Sequence, residues 1–150
     1  MHPSVSKAMF NAEVGRWPPD LAGSRGWIIH RAEYPIVDCE FTAPGRVPLR
    51  LFCEFADWDE QPAAVTLRSS QGENLATIPP NSSSVFNSSL HEKTGRPFVC
   101  MAGTLEYHTH SSHISESWDQ YRGKPGFGMG DLLDKLWSAW LRSAWLKGED

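Results

Sequence analysis

The chain has 150 residues, and hydrophobic residues, including seven Trp and seven Phe, make up 40% of it. This length and composition predict one domain over residues 1–150 with a packed core, and they argue against intrinsic disorder. The net charge of −4, with no block of five like charges, predicts no nucleic-acid partner.

Cysteine usage and hydropathy predict the compartment. Three Cys are too few for a disulfide framework, and no long apolar run typical of a signal peptide stands near the N-terminus. The stretch "LLDKLWSAWLRSAWL" is too short and too charged to span a bilayer. We therefore expect a cytoplasmic protein that does not insert into membranes. In a reducing compartment a Cys is free, metal-bound or catalytic.

The first half of the chain predicts a short helix followed by an antiparallel meander. "SVSKAMFNAEVGRW" can form a weak helix, which "WPPDLAGSRG" should break. Period-two patterns then predict strands in "YPIVDCEFT", "LRLFCEF" and "AAVTLRSS". Asp38, Glu40 and Thr42 should face away from the core. The apolar faces comprise Val37, Cys39, Phe41, Leu49, Leu51, Cys53, Phe55, Val65 and Leu67, and we interpret both of these Cys as small core residues.

The second half ends in an amphipathic helix. "RPFVCMAGTLEYHTH" predicts an extended segment followed by a loop or a short strand. Asp131 is placed to cap the last helix. Its apolar stripe comprises Leu132, Leu133, Leu136, Trp137, Trp140, Leu141, Ala144 and Trp145. Strands followed by this helix indicate an α+β fold.

Residues 100–113 concentrate side chains that carry chemistry. Zinc binds thiolate, imidazole and carboxylate, so Cys100, Glu106, His108, His110 and His113 are five candidate ligands. The paired ligand spacing of most structural zinc sites is missing. A Cys near His and Glu equally suits acyl transfer through a thioester, because His can act on the thiol or on the reacting group. A third possibility is a buried Cys beside a solvated polar loop.

Three stretches resemble ubiquitin-conjugating enzymes. "FADWDEQPAAVTL" is similar to a strand-turn-strand passage of that family, and "LHEKTGRPFVCM" to the passage from its His-Pro-Asn loop to the catalytic Cys. "WDQYRGKPGFGMGDLLDKLWSAW" resembles its Trp-bearing segment and the following helix. The resemblance implies an N-terminal helix, a four-stranded meander and C-terminal helices. It also implies that Cys100 carries a ubiquitin-like protein as a thioester.

The chain departs from that family after His91, where Glu92 and Lys93 replace the Pro and Asn. Some bacterial members place a His downstream of the Cys, and His108 is the corresponding candidate here. We expect His108 to assist transfer to an amine and Glu106 to orient a His or attract an ammonium group. Nothing in the pattern singles out His110 or His113.

Residues 100–113 also resemble a predicted metal-binding family, named for Cys, Glu, His and His, from bacterial operons that encode ubiquitin-like proteins. The favoured hypothesis is a conjugating enzyme without a cofactor in a bacterial ubiquitination-like antiphage system. Its expected partners are a ubiquitin-like protein, an activating-enzyme-like protein and a protein target. Two alternatives stay open: a zinc-binding accessory protein of the same pathway, and an interaction domain of the same fold with an inert Cys.

Overall fold

A four-stranded antiparallel sheet and two long helices dominate the computed structural model, which describes residues 1–79 and 85–143. The strand order β1-β2-β3-β4 is that of a meander, and the α+β class is confirmed. The residue pattern alone predicted three strands; the fourth is the edge strand that begins at Trp27. The strands are β1 (Trp27–Glu33), β2 (Ile36–Phe41), β3 (Leu49–Glu54) and β4 (Ala64–Arg68).

The other described elements are four α-helices, two 3-10 helices and a second, two-stranded sheet of β5 (Phe86–Asn87) and β6 (Phe98–Val99). The α-helices are α1 (Pro3–Gly15), α2 (Leu21–Arg25), α3 (Leu105–Thr109) and α4 (Met129–Leu141), and the 3-10 helices are Ser111–His113 and Trp118–Gln120. The predicted first helix is confirmed. The predicted breaker contains α2, which ends at Gly26, where φ is +72°. Within residues 1–79 and 85–143, no helix combines the length and the apolar character needed to cross a bilayer.

The inner face of the sheet forms the core. The predicted apolar faces of β2, β3 and β4 are all buried, and Cys39 and Cys53 are fully inaccessible. Aromatic contacts connect the sheet to both long helices: Phe41 lies 5.8 Å from the ring of Trp140 in α4, and Phe55 lies 5.8 Å from Phe10 in α1. The sheet therefore offers a rigid platform for the segments that follow β4.

The outer face of β2 is covered as well as the inner one. Asp38 and Glu40 were expected to face away from the core, and both are nevertheless buried. Arg50 donates from two guanidinium nitrogens to Asp38, at 2.7 and 2.8 Å, and the ring of His30 lies 2.8 Å from Glu40. Neighbouring polar side chains cover these carboxylates, so an alternating pattern does not guarantee a solvated face.

The last helix follows the predicted stripe within its described part. The stripe residues Leu132, Leu133, Leu136 and Trp140 are buried, whereas Ala144 and Trp145 lie outside the described residues. Asp131 is not the N-cap, because α4 begins at Met129 and Gly128 precedes it. Asp131 instead accepts a hydrogen bond from the Gly128 amide at 3.0 Å, one turn inside the helix.

Candidate functional site

A β-hairpin with two residues in each strand places Cys100 at the surface. Strand β6 (Phe98–Val99) pairs with β5 (Phe86–Asn87), and the Cys100 amide donates to the carbonyl of Val85 at 2.7 Å. Phe98 and Val99 are buried, while Cys100 is partly exposed. The extended segment predicted before Cys100 is thus present, and its buried side chains anchor the thiol at the edge of the core.

The segment after Cys100 forms a helix rather than the predicted loop or short strand. Thr104 caps α3 by accepting a hydrogen bond from the Tyr107 amide at 3.3 Å. The Leu105 amide donates to the carbonyl of Ala63 beside β4 at 2.8 Å, which attaches α3 to the sheet. If this segment were a strand, His108 and His110 would project to the same side. Because it is a helix that ends at Thr109, they do not.

His113 is the histidine that contacts Cys100. Its Nε2 atom lies 3.7 Å from the Cys100 Sγ atom, within hydrogen-bond range for sulfur. The Glu116 amide donates to the His113 carbonyl at 2.9 Å, and this turn brings the Glu116 carboxylate to 2.7 Å from His113 Nδ1. The contacts of Cys100, His113 and Glu116 therefore follow the order of nucleophile, base and orienting carboxylate that thiol catalysis uses.

The hydrogen bonds define the tautomer of His113. Because the Glu116 carboxylate accepts, His113 Nδ1 carries the proton and Nε2 presents a lone pair to the thiol. Burial, and next the charge of Glu116, raise the pKa of the Cys100 thiol. At neutral pH the Cys100 side chain is therefore a neutral thiol, and the lone pair of His113 Nε2 is placed to accept its proton.

Two tyrosines hold Glu116. The Tyr107 hydroxyl donates to Oε2 at 2.8 Å, and the Tyr121 hydroxyl lies 3.5 Å from Oε1. The hydrogen bond from Tyr107, followed by that from His113, lowers the pKa of Glu116, so this carboxylate stays ionised beside the imidazole. The site therefore retains the negative charge that an imidazolium at His113 would need.

His108 makes structural contacts with both ring nitrogens. Nδ1 donates to the Glu116 carbonyl at 2.7 Å, and Nε2 accepts from the Gly103 amide at 3.0 Å. His108 thus holds the turn that carries Glu116 against the start of the segment leading into α3. The expected role of His108 in amine transfer stays a prediction. Its two ring nitrogens bond to Gly103 and Glu116 rather than to Cys100.

Glu106 lies inside the protein rather than beside the thiol. Its Oε1 atom accepts from the Val65 amide at 2.6 Å, which ties α3 to β4. Its Oε2 atom is buried without a hydrogen-bond partner among the described residues. Burial raises the pKa of Glu106 to about 7. The expected task of Glu106, orienting a His or attracting an ammonium group, stays a prediction. The contact that the structure shows instead joins α3 to β4.

The remaining histidines also have local partners. His110 Nδ1 contacts the Ser112 hydroxyl at 2.6 Å, and its ring stacks on Phe98 with centroids 5.3 Å apart. His91 Nε2 donates to the carbonyl of Glu106 at 2.9 Å. Across residues 1–79 and 85–143, no three His, Cys, Asp or Glu side chains converge as metal ligands. Among the five candidate zinc ligands, Cys100 and His113 contact each other, while the other three have separate partners.

Glu116 and Tyr107 were missed by the sequence analysis, which also did not single out His113. One local signal was available, because His113 and Glu116 are three residues apart in "HISE". That spacing allows a His–carboxylate contact when the chain turns. The distance of either residue from Cys100 depends on how α3 folds back on the hairpin, and spacing alone does not give it.

One family model and one relative are similar to this chain. The model of the Y4jH-like family, described as the Y4jH family, matches residues 83–143. The uncharacterized protein y4jH of Sinorhizobium fredii (strain NBRC 101917 / NGR234) is 24% identical over 166 residues, covering 89% of this chain and 81% of that protein. The family match contains Cys100, His113 and Glu116, and it leaves out the four-stranded sheet.

Proposed function

We propose that the protein is a ubiquitin-conjugating-enzyme-like transferase that carries a ubiquitin-like protein as a thioester on Cys100. The observation that carries the proposal is a chain of two contacts. Cys100 Sγ lies 3.7 Å from His113 Nε2, and His113 Nδ1 lies 2.7 Å from the Glu116 carboxylate. The order of elements, with a helix, a four-stranded meander, a Cys-bearing segment and a last helix, agrees with what the sequence resemblance implies.

Charging begins with proton transfer from the Cys100 thiol to His113 Nε2. The thiolate attacks the thioester carbonyl by which an activating-enzyme-like protein holds the ubiquitin-like protein. A new S–C bond forms at Cys100, the S–C bond of the activating enzyme breaks, and His113 returns the proton to the leaving thiolate. Glu116 keeps His113 in the required tautomer and stabilises the transient imidazolium.

In the second step, transfer of the ubiquitin-like protein to a target, the Cys100 sulfur is the leaving group. A neutral amine of the target attacks the thioester carbonyl, an N–C bond forms, and the S–C bond at Cys100 breaks. One proton of the amine passes through His113 to the departing thiolate. In this scheme His113 is the histidine that assists transfer to the amine, because it makes the contact with sulfur, whereas the sequence analysis expected that assistance from His108.

A reconstituted charging assay tests the proposal. Purified protein is mixed with an activating-enzyme-like protein, ATP and a ubiquitin-like protein, and adducts are followed on non-reducing gels. We expect a thiol-sensitive adduct that Cys100→Ala abolishes. We expect His113→Ala to slow charging by about a hundredfold or more. His110→Ala is the matched control, since the His110 ring contacts Ser112 and Phe98, and it should charge at nearly the parent rate.

A thiol hydrolase is the second candidate, favoured by the completeness of the Cys–His–carboxylate arrangement. Cys hydrolases combine a thiol with a His that a third side chain orients, and Glu116 takes that third place here. Single-turnover discharge of loaded protein distinguishes the two. A transferase should pass its cargo to free lysine or a lysine-bearing target faster than to water. A hydrolase should release free cargo at a rate that lysine does not change.

Metal content distinguishes the accessory-protein alternative. That hypothesis requires near-stoichiometric zinc in protein purified without a metal-affinity tag. The proposed transferase requires none, and treating the purified protein with a chelator that is then removed should leave its charging rate unchanged. The assignment to an antiphage system rests on the sequence resemblance. It predicts that cells carrying the intact system lose protection against phage when Cys100 is replaced by Ala.

A further inference from the structure

Glu116 can orient His113 only if its own carboxylate is held in place. Its side chain is 38% exposed, so solvent competes for the carboxylate. The Tyr107 hydroxyl donates to Oε2, the same oxygen that accepts from His113 Nδ1. Burial raises the pKa of Tyr107 to about 12, so this hydroxyl keeps its proton throughout the neutral range. Tyr107 therefore acts as a neutral donor that fixes the carboxylate in place.

The same tyrosine also supports the imidazole directly. The rings of Tyr107 and His113 stack with centroids 4.0 Å apart and an interplanar angle of 13°. When His113 takes the thiol proton, its ring becomes a cation over an aromatic face, an arrangement that favours the charged form. One side chain therefore holds both partners of the base: the hydroxyl holds Glu116 and the ring holds His113.

Other titratable groups surround this pair. Cys100 faces His113 Nε2, and the His110 ring lies 6.4 Å from the His113 ring. His108 packs edge-on against Tyr107 with centroids 5.0 Å apart, and Tyr121 approaches the other oxygen of Glu116. Tyr107 differs from all of these groups because it contacts His113 and Glu116 at once.

We propose that Tyr107 is a positioning residue of this site, which keeps Glu116 and His113 aligned with Cys100 and stabilises the imidazolium formed during proton transfer. The inference rests on the base role given to His113 in the proposed function. It goes beyond that function because it adds a fourth residue, supplied by α3, to the Cys–His–Glu arrangement.

The test is the rate of alkylation of Cys100 by iodoacetamide between pH 6 and 10, which requires no protein partner. Cys39 and Cys53 are buried, so Cys100 reports alone in the native protein. Tyr107→Phe keeps the ring and loses the hydroxyl, whereas Tyr107→Leu loses both. The matched control is Tyr34→Phe, which removes a hydroxyl that donates to the Ala56 carbonyl at 2.6 Å.

We expect Tyr107→Leu to slow alkylation at pH 7 by at least about threefold and to move the midpoint of the pH profile upward, toward that of His113→Ala. Tyr107→Phe should lie between parent and Tyr107→Leu, and Tyr34→Phe should follow the parent. The melting temperature of each variant is measured in parallel. A loss of rate that is equal at every pH and accompanied by a lower melting temperature would assign Tyr107 a structural role and overturn the proposal.

The pH profile of His113→Ala distinguishes failure of the role proposed for Tyr107 from failure of the base role proposed for His113. If His113→Ala changes the profile while both Tyr107 variants superimpose on the parent, the proposal for Tyr107 is wrong and the proposed function stands. If His113→Ala itself superimposes on the parent, the base role of His113 fails, and the proposal for Tyr107 fails with it.

Discussion

Replacing Glu106 with Gln should reduce the pH dependence of stability between about pH 4.5 and 7. The Glu106 carboxyl is buried, its Oε1 accepts from the Val65 amide, and burial raises its pKa from 4.5 to about 7. In this interval the folded protein retains a proton that the unfolded chain has released. The free energy of unfolding therefore falls as pH rises, and this group contributes its full share only below about pH 4.5.

The size of the effect follows from the two pKa values. One pKa unit corresponds to about 1.4 kcal/mol, so moving the carboxyl from 4.5 to about 7 costs the folded state about 3 kcal/mol above pH 7. The substituted amide side chain would not titrate, and its carbonyl oxygen can still accept from the Val65 amide. Its NH2 group, however, would occupy the place of the unpartnered Oε2 atom. We therefore predict a change of slope with pH rather than a uniform gain.

Urea unfolding at pH 5, 6, 7 and 8 measures this difference. The stability of Glu106→Gln minus that of the parent should increase by about 2.5 kcal/mol from pH 5 to pH 8, since part of the shift is already felt below pH 5. Glu73→Gln, which replaces an exposed carboxylate, is the matched control and should parallel the parent. Parallel curves for parent and Glu106→Gln would refute a raised pKa at Glu106.

Two further predictions concern stability and accessibility. Cys53→Ala should cost about 1 kcal/mol through a small cavity, and in native protein a thiol reagent should label Cys100 well before Cys39 or Cys53. Rapid labelling of either core thiol would contradict the burial. His108→Ala should cost about 1 to 2 kcal/mol in urea unfolding, because two half-buried hydrogen bonds are lost. A slower discharge without any loss of stability would instead indicate a direct role of His108 in transfer.

The meander was accessible to sequence analysis because burial on one face imposes a period of two. Cys39 and Cys53 were placed correctly on this basis, and so was the described part of the last helix. The pattern did not reveal that Asp38 and Glu40 are buried, because that depends on Arg50 and His30 reaching them from neighbouring strands. Cross-strand pairing of polar groups depends on register, which single-strand patterns do not contain.

The candidate site could be predicted from the sequence only in part. The clustering around Cys100 indicated the correct region, but the choice among its histidines requires the backbone path. The Thr104 cap makes α3 helical, and the turn after it brings His113 back to the thiol while His108 faces backbone groups. A tyrosine that stacks on a histidine six residues later carries no sequence motif, so Tyr107 emerges only from the packing.

The proposed function requires that Cys100 forms a covalent acyl link with the assistance of His113. The most direct measurement is mass spectrometry of a Cys100→Ser protein incubated with the ubiquitin-like protein, its activating enzyme and ATP, because an oxyester survives where a thioester is lost. We expect a mass increase equal to the ubiquitin-like protein minus one water, with the link mapped to position 100. A link mapped to any other residue would contradict it, as would an adduct that forms equally well in Cys100→Ala.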